Sequence, residues 1–220
     1  MTEPFNIQVP APRTVEYDWM SIQTWHNLNN QQLQTAKNQA DINYIFAGDS
    51  ITQAWPESIW QTHFAPLKSL NLGIGGDQTQ NLLWRLQQPE ILALTPKFFV
   101  LLIGTNNLGH ANHNALQTAN GINIVVEYIL NNFNDCHIFL HNIFPADASP
   151  HSQKRQQIIE ANQQLKQSVN ENSRITYLEF FDIFLNNKQE IESEIMEDYL
   201  HLTQKGYQLW CNNLLKYIKQ

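Results

Sequence analysis

Lys97-Phe98-Phe99-Val100-Leu101-Leu102-Ile103, closed by Gly104, is an apolar run with no alternation. A strand with one wet face alternates apolar and polar residues, whereas an unbroken run needs cover on both faces, as in the centre of a parallel sheet. Working outward, shorter runs at residues 43–47, 69–72, 136–140 and 174–178 have the same character, and the first two end at Gly48 and Gly73. Between them lie stretches of helical periodicity. The spacing predicts helices over 17–40, with Trp19, Ile22 and Trp25 on one face, and over 57–63, 114–131, 151–169 and 203–218. A further helix carries Leu82, Leu83 and Leu86, with Asp77 expected as its N-cap. Strands that alternate with helices predict an α/β fold: a three-layer α/β/α sandwich around a central, mainly parallel five-stranded sheet, with its crevice at the carboxyl ends of the strands.

The chain has 220 residues, enough for one sizeable core, so we expect a single domain over 17–220 preceded by an N-terminal arm over 1–16 that contains Pro4, Pro10 and Pro12. Thirteen Lys and Arg stand against 20 Asp and Glu, a net charge of −7, with no basic stretch interleaved with aromatics, which argues against a nucleic-acid surface. No segment reaches the roughly 20 apolar residues needed to span a bilayer, and Met1-Thr2-Glu3-Pro4-Phe5 lacks the basic start of a secretory signal. Charged residues make up only 15% of the chain, while Asn and Gln number 25 and 23, so amides are expected to solvate the surface. Cys136 and Cys211 read as buried thiols.

Three strand ends deliver small or polar residues to one rim of such a sheet: Gly48-Asp49-Ser50-Ile51-Thr52, Gly73-Ile74-Gly75-Gly76-Asp77 and Gly104-Thr105-Asn106-Asn107. Asp198-Tyr199-Leu200-His201 then places an acid three residues from an imidazole, ahead of the last helix. A serine, a histidine, a carboxylate and an amide donor are the groups that acyl transfer needs.

These four blocks, in this order, resemble those of the SGNH, or GDSL, hydrolase superfamily. Leu70-Asn71-Leu72-Gly73-Ile74-Gly75-Gly76-Asp77, running into Leu83-Trp84-Arg85-Leu86, is similar to the catalytic subunits of intracellular platelet-activating factor acetylhydrolase. The resemblance extends from about Trp19 to Tyr207, and it implies a flavodoxin-like SGNH fold and a serine esterase acting on short acyl or acetyl esters through an acyl-enzyme. It assigns Ser50 as nucleophile, His201 as base and Asp198 as the group that holds His201. The oxyanion site would be the backbone N–H groups of Ser50 and Gly76 with the Asn106 amide, and Asp49 and Asn107 would support the loops. Ile51 and Thr52 depart from the eponymous leucine, at positions expected to pack under the nucleophile. The resemblance further implies a small-molecule ester substrate, a cytoplasmic protein and a homodimer.

Each residue also has a structural reading: Ser50 alone could cap a helix, and Asp198 likewise. The glycines of 73–76 lack the Gly-x-Gly-x-x-Gly spacing of a dinucleotide site, and His110 with His113, or His137 with His141, lack the spacing of a metal site, so no cofactor and no metal are expected. His110 and His113 are instead candidates for the pocket mouth. Glu190, Glu192 and Glu194 would disfavour anionic substrates if they lay near the cleft. A carbohydrate O-deacetylase and a catalytically inactive binding scaffold on the same fold are the alternative functions.

Overall fold

The computed structural model describes residues 9–39, 41–111, 113–169 and 172–218. Five strands, β1 (Tyr44–Gly48), β2 (Ser69–Gly73), β3 (Phe98–Leu102), β4 (His137–His141) and β5 (Ile175–Leu178), form one sheet in the order β2-β1-β3-β4-β5. Every pairing is parallel. The unbroken apolar run is the middle strand, buried on both sides as its lack of alternation predicts. The strand order reverses direction beside β1, so the loops that follow β1, β2 and β3 meet at one switch point.

Alternate strand residues face opposite layers. Ile45, Ala47, Phe99, Leu101, Ile138 and Leu140 pack with helices α1 (Ile22–Asn38), α4 (Thr79–Leu86), α5 (Pro89–Leu92), α7 (Ala115–Asn132) and α8 (Gln153–Val169). Tyr44, Phe46, Val100, Leu102 and Phe139 pack on the other face with α2 (Ser50–Gln53), α3 (Glu57–Ile59) and α9 (Gln204–Ile218). One short helix, α6 (Thr105–Gly109), follows β3 at the rim. The architecture is the three-layer α/β/α sandwich expected. Cys136 and Cys211 are buried thiols with no disulfide between them.

The structure corrects three local expectations. The first helix starts at Ile22 rather than Tyr17, because Ser21 caps it by accepting the Thr24 N–H at 3.0 Å while Tyr17 and Met20 form an antiparallel bridge. Trp19 therefore lies in a strap ahead of the helix; the expected end of that helix, residue 40, lies outside the described residues. The helix expected over 57–63 is α only to Ile59 and continues as a π turn, Trp60–Phe64, whose rings pack on Phe46. Asp77 is not the cap of α4. That role falls to Gln78, which forms a capping box with Asn81, while Asp77 is drawn inward by Arg85 and Trp25. Of the arm, residues 1–8 lie outside the described set; residues 9–16 pack on the domain through Ala11 N–H to the Gln80 carbonyl at 3.2 Å.

Candidate active site

Ser50 is the first residue of α2, immediately past β1. Asp49 caps this helix by accepting the Ile51 N–H at 3.0 Å. The Ser50 N–H, in the first turn, has no intrahelical acceptor. Asp49 is fully enclosed, and burial pushes its carboxyl up to about 7, against the Ile51 hydrogen bond and with help from the nearby Asp77.

His201 reaches this helix from 151 residues away: Ser50 Oγ and His201 Nε2 are 3.0 Å apart. The other ring nitrogen, Nδ1, is 2.7 Å from Asp198 Oδ2. The second oxygen of Asp198 accepts the backbone N–H groups of Leu200 and His201 at 3.0 and 2.7 Å. Burial works to raise the Asp198 carboxyl, but the His201 ring and backbone bonds together hold it below the usual value. Both oxygens are thus committed, and Nδ1 must carry the proton it gives to Asp198, which leaves Nε2 to accept from Ser50. Tyr199 sits at φ 58°, a left-handed turn that folds Asp198 back under its own loop. Its backbone is held by N–H to the Met196 carbonyl at 3.2 Å and by the Asp147 N–H at 3.0 Å.

Gly76 faces the same space at φ 74°. A Cβ there would stand 2.6 Å from the Trp19 ring and 2.7 Å from Arg13 Nη2, so both its conformation and its neighbours require glycine. Asn106, in α6, donates one amide hydrogen to the Asp77 carbonyl at 3.0 Å and lines the same cavity as Gly76 and Ser50. Asn107 points away, accepting the Thr79 N–H at 3.0 Å and donating to Thr79 Oγ1 at 3.1 Å, which locks α6 to the start of α4.

The glycine loop rests on groups to which the sequence assigned no role. Gln53 Oε1 accepts the Gly75 N–H at 2.6 Å, Asn71 bonds the Gly73 N–H and the Thr52 carbonyl, and Gln32 donates to the Gly73 carbonyl at 2.8 Å. Beneath it lies a buried ion cluster. Asp77 accepts from Arg85 Nε at 2.7 Å and Trp25 Nε1 at 2.6 Å, with Arg13 Nη2 at 3.6 Å. Burial pushes the Asp77 carboxyl up, opposed by Arg85, Trp25 and Arg13. No local signal marks these contacts; their partners are up to 64 residues away.

A cavity of about 420 Å³ opens over Ser50, bounded by Trp19, Met20, Leu200 and His110 together with Gly76, Asn106 and His201. Its walls are mostly apolar carbon, and His110, as expected, is at its mouth; burial, Lys154 and Arg13 lower the His110 pKa. His113 instead lies buried near Asn107. Glu194 is turned to Lys205, and the acidic stretch does not line the cavity. Among the described residues no group of three or more His, Cys, Asp or Glu is arranged to hold a metal, and no helix is long and apolar enough to cross a membrane.

The profile of the GDSL-like Lipase/Acylhydrolase family matches residues 46–209. The human platelet-activating factor acetylhydrolase IB subunit alpha2 is 34% identical over 197 residues, covering 89% of this chain and 84% of that protein. The human subunit alpha1 is 31% identical over 191 residues, covering 86% and 80%. A GDSL-like lipase from Bacteroides thetaiotaomicron superposes with a TM-score of 0.71 at 19% identity, covering 90% of this chain and 96% of that one.

Proposed function

The chain belongs to the GDSL-like lipase/acylhydrolase family, and from that premise we propose a metal-independent serine esterase that releases short acyl groups, acetyl foremost, through an acyl-enzyme. The family and its acetylhydrolase relatives support ester hydrolysis in general. The single observation that carries the finer reading is the relay of Ser50 Oγ, His201 and Asp198 at 3.0 and 2.7 Å.

In the proposed reaction His201 Nε2 takes the Ser50 proton as Oγ attacks the ester carbonyl. The developing oxyanion is met by the N–H groups of Ser50 and Gly76 and by the free Asn106 amide hydrogen. Collapse expels the alcohol, which leaves with the proton held on Nε2. Water, deprotonated by the same nitrogen, then attacks the acyl-Ser50 ester; as this second tetrahedral intermediate collapses, Nε2 returns the proton to Ser50 Oγ and the carboxylic acid departs. Asp198 holds the ring and stabilises the imidazolium without taking its proton. Asp49 and Asn107 act through the backbone, as the cap of the nucleophile helix and the anchor of α6.

The apolar walls formed by Trp19, Met20 and Leu200 favour a compact acyl group close to Ser50. One observation favours a second reading, O-deacetylation of a carbohydrate: Trp19 is 55% exposed and stacks on Tyr17 at 5.0 Å, a flat aromatic face of the kind sugar rings pack on. A panel of p-nitrophenyl esters and acetylated sugars tests both. Ser50→Ala is expected to lose at least about 10³-fold in kcat, and acetyl to exceed octanoyl. Hydrolysis retained in Ser50→Ala would overturn the assignment.

A further inference from the structure

Arg13 is 4% exposed, and it belongs to the strap ahead of α1, outside the 46–209 stretch that defines the family domain. Its guanidinium lies 5.2, 5.8 and 6.0 Å from the rings of Tyr17, Trp19 and Trp25. Nη1 points to Met20 Sδ at 3.1 Å, and Nη2 donates to the carbonyl oxygen of Gly75 at 2.5 Å. The N–H on the other side of Gly75 is held by Gln53. What remains of this short stretch is the Gly76 N–H, which shares one peptide unit with the Gly75 carbonyl.

That peptide is trans, so its C=O and N–H point in opposite directions. A cation that draws the oxygen towards the buried side turns the hydrogen towards the cavity, where Gly76, Ser50 and Asn106 meet. A charge-assisted bond on the oxygen also shifts electron density away from the nitrogen, which makes its hydrogen a stronger donor. We propose that Arg13 is a positioning residue for the oxyanion site, aiming and polarising the Gly75–Gly76 peptide so that the Gly76 N–H meets the developing negative charge. The strap thereby completes a catalytic site that the family domain alone leaves with an untethered donor. The inference rests on the preceding reading, in which Gly76 serves the oxyanion.

A lysine cannot reproduce this role. Its ammonium could reach either Gly75 or Asp77, whereas the planar fork addresses the carbonyl, the thioether and the carboxylate from one fixed plane.

The test compares the full-length wild type with Arg13→Ala, Arg13→Met, which keeps the packed stem between the aromatic rings, and Ser50→Ala as blank. Active sites are titrated with a fluorophosphonate, kcat and KM are measured on p-nitrophenyl acetate, and binding of a trifluoromethyl ketone, which forms a tetrahedral adduct with serine, is measured in parallel. Loss of a whole oxyanion donor costs roughly 10²- to 10³-fold in kcat, so a misaimed one should cost about 10- to 100-fold. KM should stay within about threefold, the ketone should weaken in step with kcat/KM, and millimolar guanidinium should restore part of the activity of Arg13→Ala. A purely structural role would lower the number of titratable sites but leave kcat per site and ketone affinity unchanged, and that result overturns the proposal. If Arg13→Ala does not fold, Arg13→Met carries the same expectation. A wild type that neither hydrolyses esters nor is labelled at Ser50 overturns the esterase reading itself, and with it this one; an active wild type with indifferent Arg13 variants overturns only the role of Arg13.

Discussion

The hydroxyl of Tyr207 donates to the carbonyl oxygen of Ile51 at 2.7 Å, across 156 residues of chain. Ile51 follows Ser50, the proposed nucleophile, in a helix of four residues, too short to hold itself together, and Tyr207 lies in α9 shortly after His201. This bond ties the end of the chain that carries His201 to the helix that presents Ser50. Tyr207→Phe leaves a buried carbonyl unpaired and is expected to cost about 1 kcal/mol of stability, read as a lower urea midpoint. It should also lower kcat on p-nitrophenyl acetate, by about threefold to tenfold. An unchanged midpoint together with unchanged kcat would refute the tie.

Asp198→Asn should act through the tautomer of His201. The oxygen that accepts the Leu200 and His201 N–H groups must remain an oxygen, so the new amide nitrogen faces His201 Nδ1. Nδ1 then becomes the acceptor and Nε2 carries the proton, so Nε2 cannot take another from Ser50. A fall of about 10⁴-fold in kcat is expected, with the fold intact by circular dichroism. A variant within tenfold of wild type would show that orientation by Asp198 is dispensable.

Residues 97–103 placed the centre of the sheet because burial on both faces leaves a local trace, the missing alternation. The site blocks were legible for a similar reason: glycines and polar residues gather where strands end. Arg13 leaves no such trace. It is one arginine between Pro12 and Thr14, and its meaning comes from a carbonyl 62 residues away. The amides tell the same story. They read as a way of wetting the surface, yet Gln32, Gln53, Asn71, Asn81 and Asn107 all bond the backbone of the loops or strap around the site. A neutral group that both donates and accepts suits a buried loop scaffold, where an unpaired ion would cost far more than an amide. Composition counts such residues without saying which face inward.

Asp49 gives a pH signature. Its carboxyl sits at about 7 in the fold against an ordinary 3.8, so between these values the native state keeps a proton that the unfolded chain has released. Stability conferred by the neutral form is complete below about pH 4, falls as pH rises towards about 7, and is level above it. Asp49→Asn keeps an oxygen for the Ile51 N–H and cannot ionise. The stability of wild type relative to this variant should therefore fall by about 2–4 kcal/mol between pH 4 and pH 8. Urea unfolding at four or five pH values measures the difference; parallel curves would mean that Asp49 titrates alike in both states.

Trp19 should separate specificity from stability. Its ring closes one side of the cavity and stands over Gly76, and more than half of it faces solvent, so truncation leaves the two hydrophobic cores untouched. Trp19→Ala removes the stack on Tyr17 and the contact with Arg13 and is expected to cost about 1–2 kcal/mol of stability, too little to unfold the domain. The widened wall admits longer chains, so the ratio of kcat/KM for octanoyl over acetyl esters should rise about tenfold, with acetyl turnover falling severalfold as the small acyl group loses its contact. If carbohydrate O-deacetylation is the activity instead, the same variant loses acetylated sugars while its acyl-length preference on p-nitrophenyl esters stays as it was. A variant unchanged on both sets of esters would remove Trp19 from the substrate site altogether, because a wall that substrates touch cannot be cut away without altering at least one of the two ratios.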